Sequence, residues 1–156
     1  MNLLKNRGIT ILEILIVLAI VGIVSFIVFL NFSQFRNEQA LNNTTIDIVS
    51  ILNKARQKTL SSINSTNYSV HFDDNKAVLF TGSVYSSVDP TNEINNFNQV
   101  VSIPTSGGLN IGGGRDVVFE RLTGDTIGGT IIVRLLSDVT KQKIITINKT
   151  GVISSN

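Results

Sequence analysis

Residues 14–30 read Ile-Leu-Ile-Val-Leu-Ala-Ile-Val-Gly-Ile-Val-Ser-Phe-Ile-Val-Phe-Leu, a run of 17 without one charge. Extended back to Ile9 it covers 22 positions, interrupted only by Thr10 and Glu13. About 20 apolar residues cross a bilayer as a helix, so the expectation is a single membrane span over 9–30. A cleaved secretory signal is the competing reading, but its apolar core is about 7 to 15 residues long and ends at small residues. This run continues through Phe26, Ile27, Val28, Phe29 and Leu30 with no Ala-x-Ala, and a lipoprotein signal would need a cysteine. The segment is expected to stay in the mature protein.

The remainder must fold outside the lipid, and 156 residues give room for one modest core. Apolar residues make up 42% and charged ones 15%, against about 25% charged in a typical soluble domain, which excludes a disordered chain. The absence of cysteine excludes disulfides, iron–sulfur clusters, thiolate nucleophiles and thiolate zinc sites. A single histidine, His71, excludes multi-histidine metal sites.

The order of the first thirteen residues says more than their hydropathy. Lys5 and Arg7 form a short cationic leader, which the positive-inside rule places in the cytoplasm. Gly8, Ile9, Thr10, Ile11, Leu12 and Glu13 follow, directly ahead of the apolar run. This resembles the class III leader of type IV prepilins and type II secretion pseudopilins. The resemblance implies that a membrane-embedded prepilin peptidase cuts after Gly8 and methylates the new N-terminus on Ile9. Glu13 then matches the glutamate at the fifth mature position, an assembly contact in the filament. The family more often has Phe where this chain has Ile9.

Elementary electrostatics bears on the same residue. A lone carboxylate in hydrocarbon costs several kcal/mol, so it is neutralised, paired or absent. Cleavage after Gly8 creates an α-ammonium on Ile9, four residues before Glu13 and about one helical turn away. The two can pair within a chain or between chains staggered along an axis. A shallow glutamate reaching the headgroups is the plainer alternative. With no other ionisable residue in the span, a proton relay is not indicated.

Beyond Leu30 the pattern turns amphipathic. Leu41, Thr45, Ile48, Leu52, Ala55, Thr59 and Ile63 fall at steps of three and four, which draws one helical face. Arg36, Glu38, Asp47, Lys54, Arg56 and Lys58 mostly fall elsewhere on the wheel. A helix over 9–62 is expected, about 80 Å long at 1.5 Å per residue. A bend at the poor helix formers Asn42, Asn43, Thr44 and Thr45 is one expectation, and a loosening or close helix approach at Gly22 another. Leu52-Asn53-Lys54-Ala55-Arg56 resembles a stretch of this helix in the GspH/FimT subgroup.

From Ser65 onward period two replaces period 3.6. Tyr68, Val70 and Phe72 alternate with polar residues, and Asp74-Asn75 turns the chain into a second strand over 77–81. Residues 82–99, rich in Ser, Asn and Asp with Pro90, read as a long loop. A strand over 100–103 stops at Pro104, and glycine turns flank 109–111. Strands are then expected over 115–121, 129–136 and 142–148, with a final pair of strand residues at Val152 and Ile153. In the second of these, Ile131, Val133 and Leu135 face one side and Thr130 and Arg134 the other. Phe119 to Gly124, the strand pair and a last glycine, Gly151, resemble the GspH/FimT-type pseudopilin domain. The fold class expected is α+β: a leader over 1–8, a long helix over 9–62, and an antiparallel β domain over 63–156 packed on the amphipathic half.

Candidates for chemistry are thin. His71 sits between Val70 and Phe72 as a solvated or cross-strand residue. Gly112-Gly113-Gly114 lacks the Gly-Lys-Ser/Thr of a phosphate loop and the spaced glycines of a dinucleotide site. Asp73 with Asp74, and Asp89 with Glu93, do not follow the calcium-loop spacing, and no Gly-x-Ser-x-Gly is present. No catalytic residue, metal or cofactor is expected.

DNA binding is the main functional rival, since minor pilins of this subgroup are implicated in DNA uptake. The net charge of +2 reduces to 11 cations against 11 anions once Lys5 and Arg7 are removed (13 − 2 = 11). What remains is local: Arg134, Lys141, Lys143 and Lys149 against Asp138 from residue 126 onward, four cations that could touch phosphates. The plainer reading is a cationic sheet edge that discourages aggregation. The partners expected are inner-membrane lipid, prepilin peptidase and other subunits of a helical filament, with DNA or secreted cargo as further candidates. The topology expected is single-pass, N-terminus cytoplasmic and β domain outside, followed by a pilus, secretion pseudopilus or competence filament. A plain membrane-tethered β domain is the third reading, and it would keep residues 1–8.

Overall fold

The computed structural model describes residues 9–112 and 114–156, with the backbone alone at 28–31 and 33. The leader, with Lys5, Arg7 and Gly8, lies outside the described residues, as does Gly113. The chain divides into two compact units, Met1–Arg36 and Asn37–Asn156.

One helix, α1, runs over Ile11–Leu60. It is continuous through Gly22 and through Asn42–Thr45. The threonines are accommodated because both are buried and the Thr45 hydroxyl donates to the Leu41 carbonyl at 2.8 Å. In the first unit every described large apolar side chain of α1 is exposed, from Ile11 at 81% to Ile14 at 49%. Among the described residues no helix is long and apolar enough to cross a membrane. The side chains at 28–30, which close the expected span, lie outside that set.

In the second unit α1 hides a stripe of Leu41, Thr45, Ile48, Leu52, Ala55 and Thr59, joined by Thr44 and Ile51. Ile63, expected on this stripe, is 44% exposed, because the helix ends at Leu60 and Ser62 turns left-handed at φ 49°. Leu52, Ala55 and Thr59 are fully buried. Burying a leucine side chain contributes on the order of 2 kcal/mol, so this stripe anchors the unit.

Nine strands follow: β1 Tyr68–Phe72, β2 Lys76–Thr81, β3 Glu93–Asn96, β4 Val101–Ser102, β5 Leu109–Asn110, β6 Asp116–Val118, β7 Gly129–Leu135, β8 Gln142–Ile147 and β9 Ile153–Ser155. They form two antiparallel sheets, ordered β3-β2-β1-β6 and β4-β7-β8-β9, with β5 also on β7. The strand expected over 115–121 shortens to β6, since Phe119 turns into the core and Leu122 is left-handed at φ 72°. The long loop expected over 82–99 contains β3, which borrows the free edge of β2 in the register Val78↔Ile94.

One core joins the α1 stripe to Val70, Phe72, Leu79, Val117, Phe119, Ile131, Val133, Leu135, Ile145 and Ile147. Val78 and Phe80 are equally buried but face away from that core, where Tyr85 of the 82–92 segment meets Phe80 edge-on at 5.4 Å. The continuous run Ala77-Val78-Leu79-Phe80 is thus covered on both faces, which is why it does not alternate. The start of β1 is spliced to α1 by one hydroxyl: Thr59 Oγ1 donates to the Tyr68 carbonyl at 3.1 Å and accepts the Tyr68 N–H at 2.8 Å.

Candidate functional site

Thr10 is the residue before α1, and Glu13 is the third residue inside it. The Glu13 N–H donates to Thr10 Oγ1 at 3.2 Å, which makes Thr10 the N-cap. Thr-x-x-Glu before an apolar run is a helix-start signature, legible in the sequence but obscured there by the hydrophobic run. An acid in the first turn also faces the positive end of the helix dipole. Ile9, Glu13, Ile14, Val17 and Leu18 line one shallow concavity of about 260 Å³. Glu13 is therefore an exposed carboxylate at the helix start, ringed by apolar side chains, with Ile9 one turn before it on the same face. A cation presented by another molecule can reach it, and so can an amine on Ile9.

Arg134, Lys141, Lys143 and Lys149, the four cations from residue 126 onward, do not form one surface. Register places Arg134 opposite Gln142 and Val133 opposite Lys143, so Arg134 and Lys143 lie on opposite faces of the β7–β8 pair. Lys141 Nζ is paired with Glu38 at 2.7 Å, and that carboxylate holds the lysine pKa above its ordinary value. Lys141 and Lys143 line a small hollow with Glu38, Leu41 and Asn42 of α1. Lys149 follows β8 at its far end, about 20 Å along the strand from Lys143 at 3.3 Å per residue. Register separates Arg134 from Lys143, and distance separates Lys149 from both Lys141 and Lys143.

His71 is held rather than free. Its ring stacks on Tyr85 with centroids 3.9 Å apart, its Nδ1 lies 2.5 Å from Asp116 Oδ1, and its Nε2 lies 3.4 Å from Asp73 Oδ1. Asp74 accepts from Arg115 at 2.6 Å and from Thr105 at 2.7 Å, and these partners hold its carboxyl below the usual carboxylate range. Among the described residues no group of three or more His, Asp or Glu could hold a metal. Gly114 N–H donates to the Ile111 carbonyl at 2.9 Å.

The scattered motifs of the β domain meet at one place. Arg56 Nη2 donates to the Thr150 carbonyl at 3.1 Å. A Cβ at Gly124 (φ 70°) would lie 3.2 Å from Arg56 Nε, and one at Gly151 (φ 74°) would lie 2.6 Å from it and collide with the Gly124 carbonyl oxygen. Leu52, Ala55 and Phe119 are fully buried beneath. The Leu-x-x-Ala-Arg stretch, the Phe-to-Gly stretch and the last glycine are one packing unit that fastens the β turns to α1.

A family model described as the prokaryotic N-terminal methylation motif matches residues 3–29. No curated protein matches the chain. Among solved structures, the type IV minor pilin FimU of Pseudomonas aeruginosa strain PAO1 is similar over 74% of this chain and 92% of that one. The TM-score is 0.56 at 11% sequence identity, a likeness of fold. The chain thus carries the methylation motif at its N-terminal end, and its fold, a long helix packed on antiparallel sheets, is like that of a type IV minor pilin.

Proposed function

We propose that the chain is a structural subunit of a type IV pilus or type II secretion-like filament, most similar to minor pseudopilins of the GspH/FimT type. Its precursor enters the inner membrane with residues 1–8 inside, prepilin peptidase cuts between Gly8 and Ile9, and Ile9 is N-methylated. The apolar half of α1 then exchanges lipid for neighbouring helices, while the β domain stays outside as a contact surface. Glu13 is the assembly contact that answers the amine of Ile9, in its own chain or the next.

The observation that carries this reading is the exposed, apolar-ringed Glu13 in the first turn of α1, inside the matched motif at residues 3–29. A carboxylate in an apolar setting is favoured by a cation beside it, and cleavage after Gly8 supplies one. The dispersal of Arg134, Lys141, Lys143 and Lys149 over two faces and two ends of β8 favours the structural role over a DNA-binding one.

Intact mass of the purified protein tests the reading. Wild type should lack residues 1–8 and carry one added methyl group, and Gly8→Ala should retain the leader. Glu13→Ala should be cut normally yet enter filaments at least tenfold less. A mature chain that still begins at Met1 would leave only a tethered β domain.

A further inference from the structure

β3 is one of the two edge strands of its sheet. Phe97 N–H donates to the Asn75 carbonyl at 2.8 Å, which fixes the alternation along the strand. Residues 93, 95 and 97 turn their main-chain groups toward β2, and Ile94 and Asn96 turn theirs away. Edge strands are commonly guarded by a lysine, a proline, a bulge or a covering loop. Here Lys54 and Lys58 both bind the single charge of β3, Glu93, and Ile94 is 60% exposed.

Beside the open edge lies a groove of about 550 Å³, with Asp47, Ser50, Ile51 and Lys54 of α1 on one wall and β3 on the other. Its side-chain chemistry is asymmetric. Lys54 is neutralised by Glu93, whereas Asp47 is exposed and has no ion pair among the described residues. On the opposite face of the sheet, next to the open edge, stands Ile94.

We propose that this edge is a docking site for an extended segment of another protein, which pairs with β3 as a fifth strand. The outward N–H and C=O groups of Ile94 and Asn96 require an occupant in extended conformation. The groove requires its α1-facing side chains to be polar and basic, so that one of them meets Asp47. The other face of that strand is apolar and continues from Ile94. Four residues of β3 hold a short segment, so the affinity is modest and the specificity lies in the basic/apolar alternation. This inference stands on the second unit alone, and the filament reading survives its failure.

The test uses the full-length chain in detergent micelles and a fluorescent eight-residue peptide alternating lysine or threonine with valine, read by anisotropy. Wild type should bind it and bind the glutamate-for-lysine counterpart at least tenfold less. Asp47→Lys, at an exposed helix position, should reverse that preference. Asn96→Pro removes an outward N–H without touching the pairing to β2, a place where strands tolerate proline, and should abolish binding of both peptides. Circular dichroism and the melting midpoint confirm that each variant is folded. No binding to wild type, or binding unchanged in both variants, overturns the proposal. Self-association of wild type that Asn96→Pro abolishes would also overturn it, in favour of pairing between copies of this chain.

Discussion

The two ends of α1 are built of similar residues and meet opposite fates. Leu12, Leu15 and Leu18 are 59–65% exposed, whereas Leu41 and Leu52, in the same helix, are 4% and 0% exposed. The difference lies in the pattern rather than in the residue type. The N-terminal half is apolar on every face, so no single side of it can be satisfied by folding. The C-terminal half concentrates apolar side chains on one stripe, which the chain's own sheets cover. Glu13 and Glu93 repeat the contrast: the first faces outward among apolar side chains, and the second is answered by Lys54 and Lys58.

The sharpest way to break that comparison is to truncate a leucine on each side. Leu52→Ala should destabilise the second unit by about 2–5 kcal/mol, since the fully buried site cannot collapse around the loss. Leu18→Ala, at a position 62% exposed, should change the unfolding of the same unit by less than about 0.5 kcal/mol. Denaturant unfolding of both variants in one detergent checks this. Equal losses would mean that the two halves of α1 fold as one cooperative body.

Next in size is the fastening of the β turns. Gly151→Ala should cost about 3 kcal/mol, because the new Cβ sits in a left-handed conformation and strikes the Gly124 carbonyl. Gly22→Ala in the first unit, with open space around the built Cβ, should leave unfolding unchanged. Paired melting curves separate the two.

These glycines also show what the sequence could convey. Gly124 and Gly151 were visible as parts of a domain resemblance, and Arg56 as part of a helix motif, but nothing linear says that the three touch. The α1 stripe, the β1–β2 hairpin and the β7–β8 pair were legible because hydrophobic period reports burial directly. β3 was not: Glu-Ile-Asn-Asn is poor in strand formers, and it is a strand because β2 offers an edge and two lysines hold Glu93. The cation cluster misled for a related reason. Four basic residues within 16 positions look like a patch until register sends Arg134 and Lys143 to opposite faces. Thr10 was legible in its Thr-x-x-Glu spacing ahead of the apolar run.

The smallest effect concerns the acid that folding does answer. Lys54, then Lys58, hold the Glu93 carboxyl below its ordinary value. A depressed carboxylate stabilises the fold fully above its unfolded value of about 4.3, and that contribution is lost as pH falls through the lower folded value. The carboxylate side chain is 43% exposed, so screening limits the contribution to less than about 1 kcal/mol. Wild type should therefore lose slightly more stability between about pH 5 and pH 3 than Glu93→Gln, and high salt should narrow the gap. Glu13→Gln should show no such difference in the unfolding of the second unit, because Glu13 belongs to the first. If Glu13→Gln altered that acid limb as much as Glu93→Gln, the carboxylate would be coupled to the β domain, and the division between the two halves of α1 would have to be redrawn.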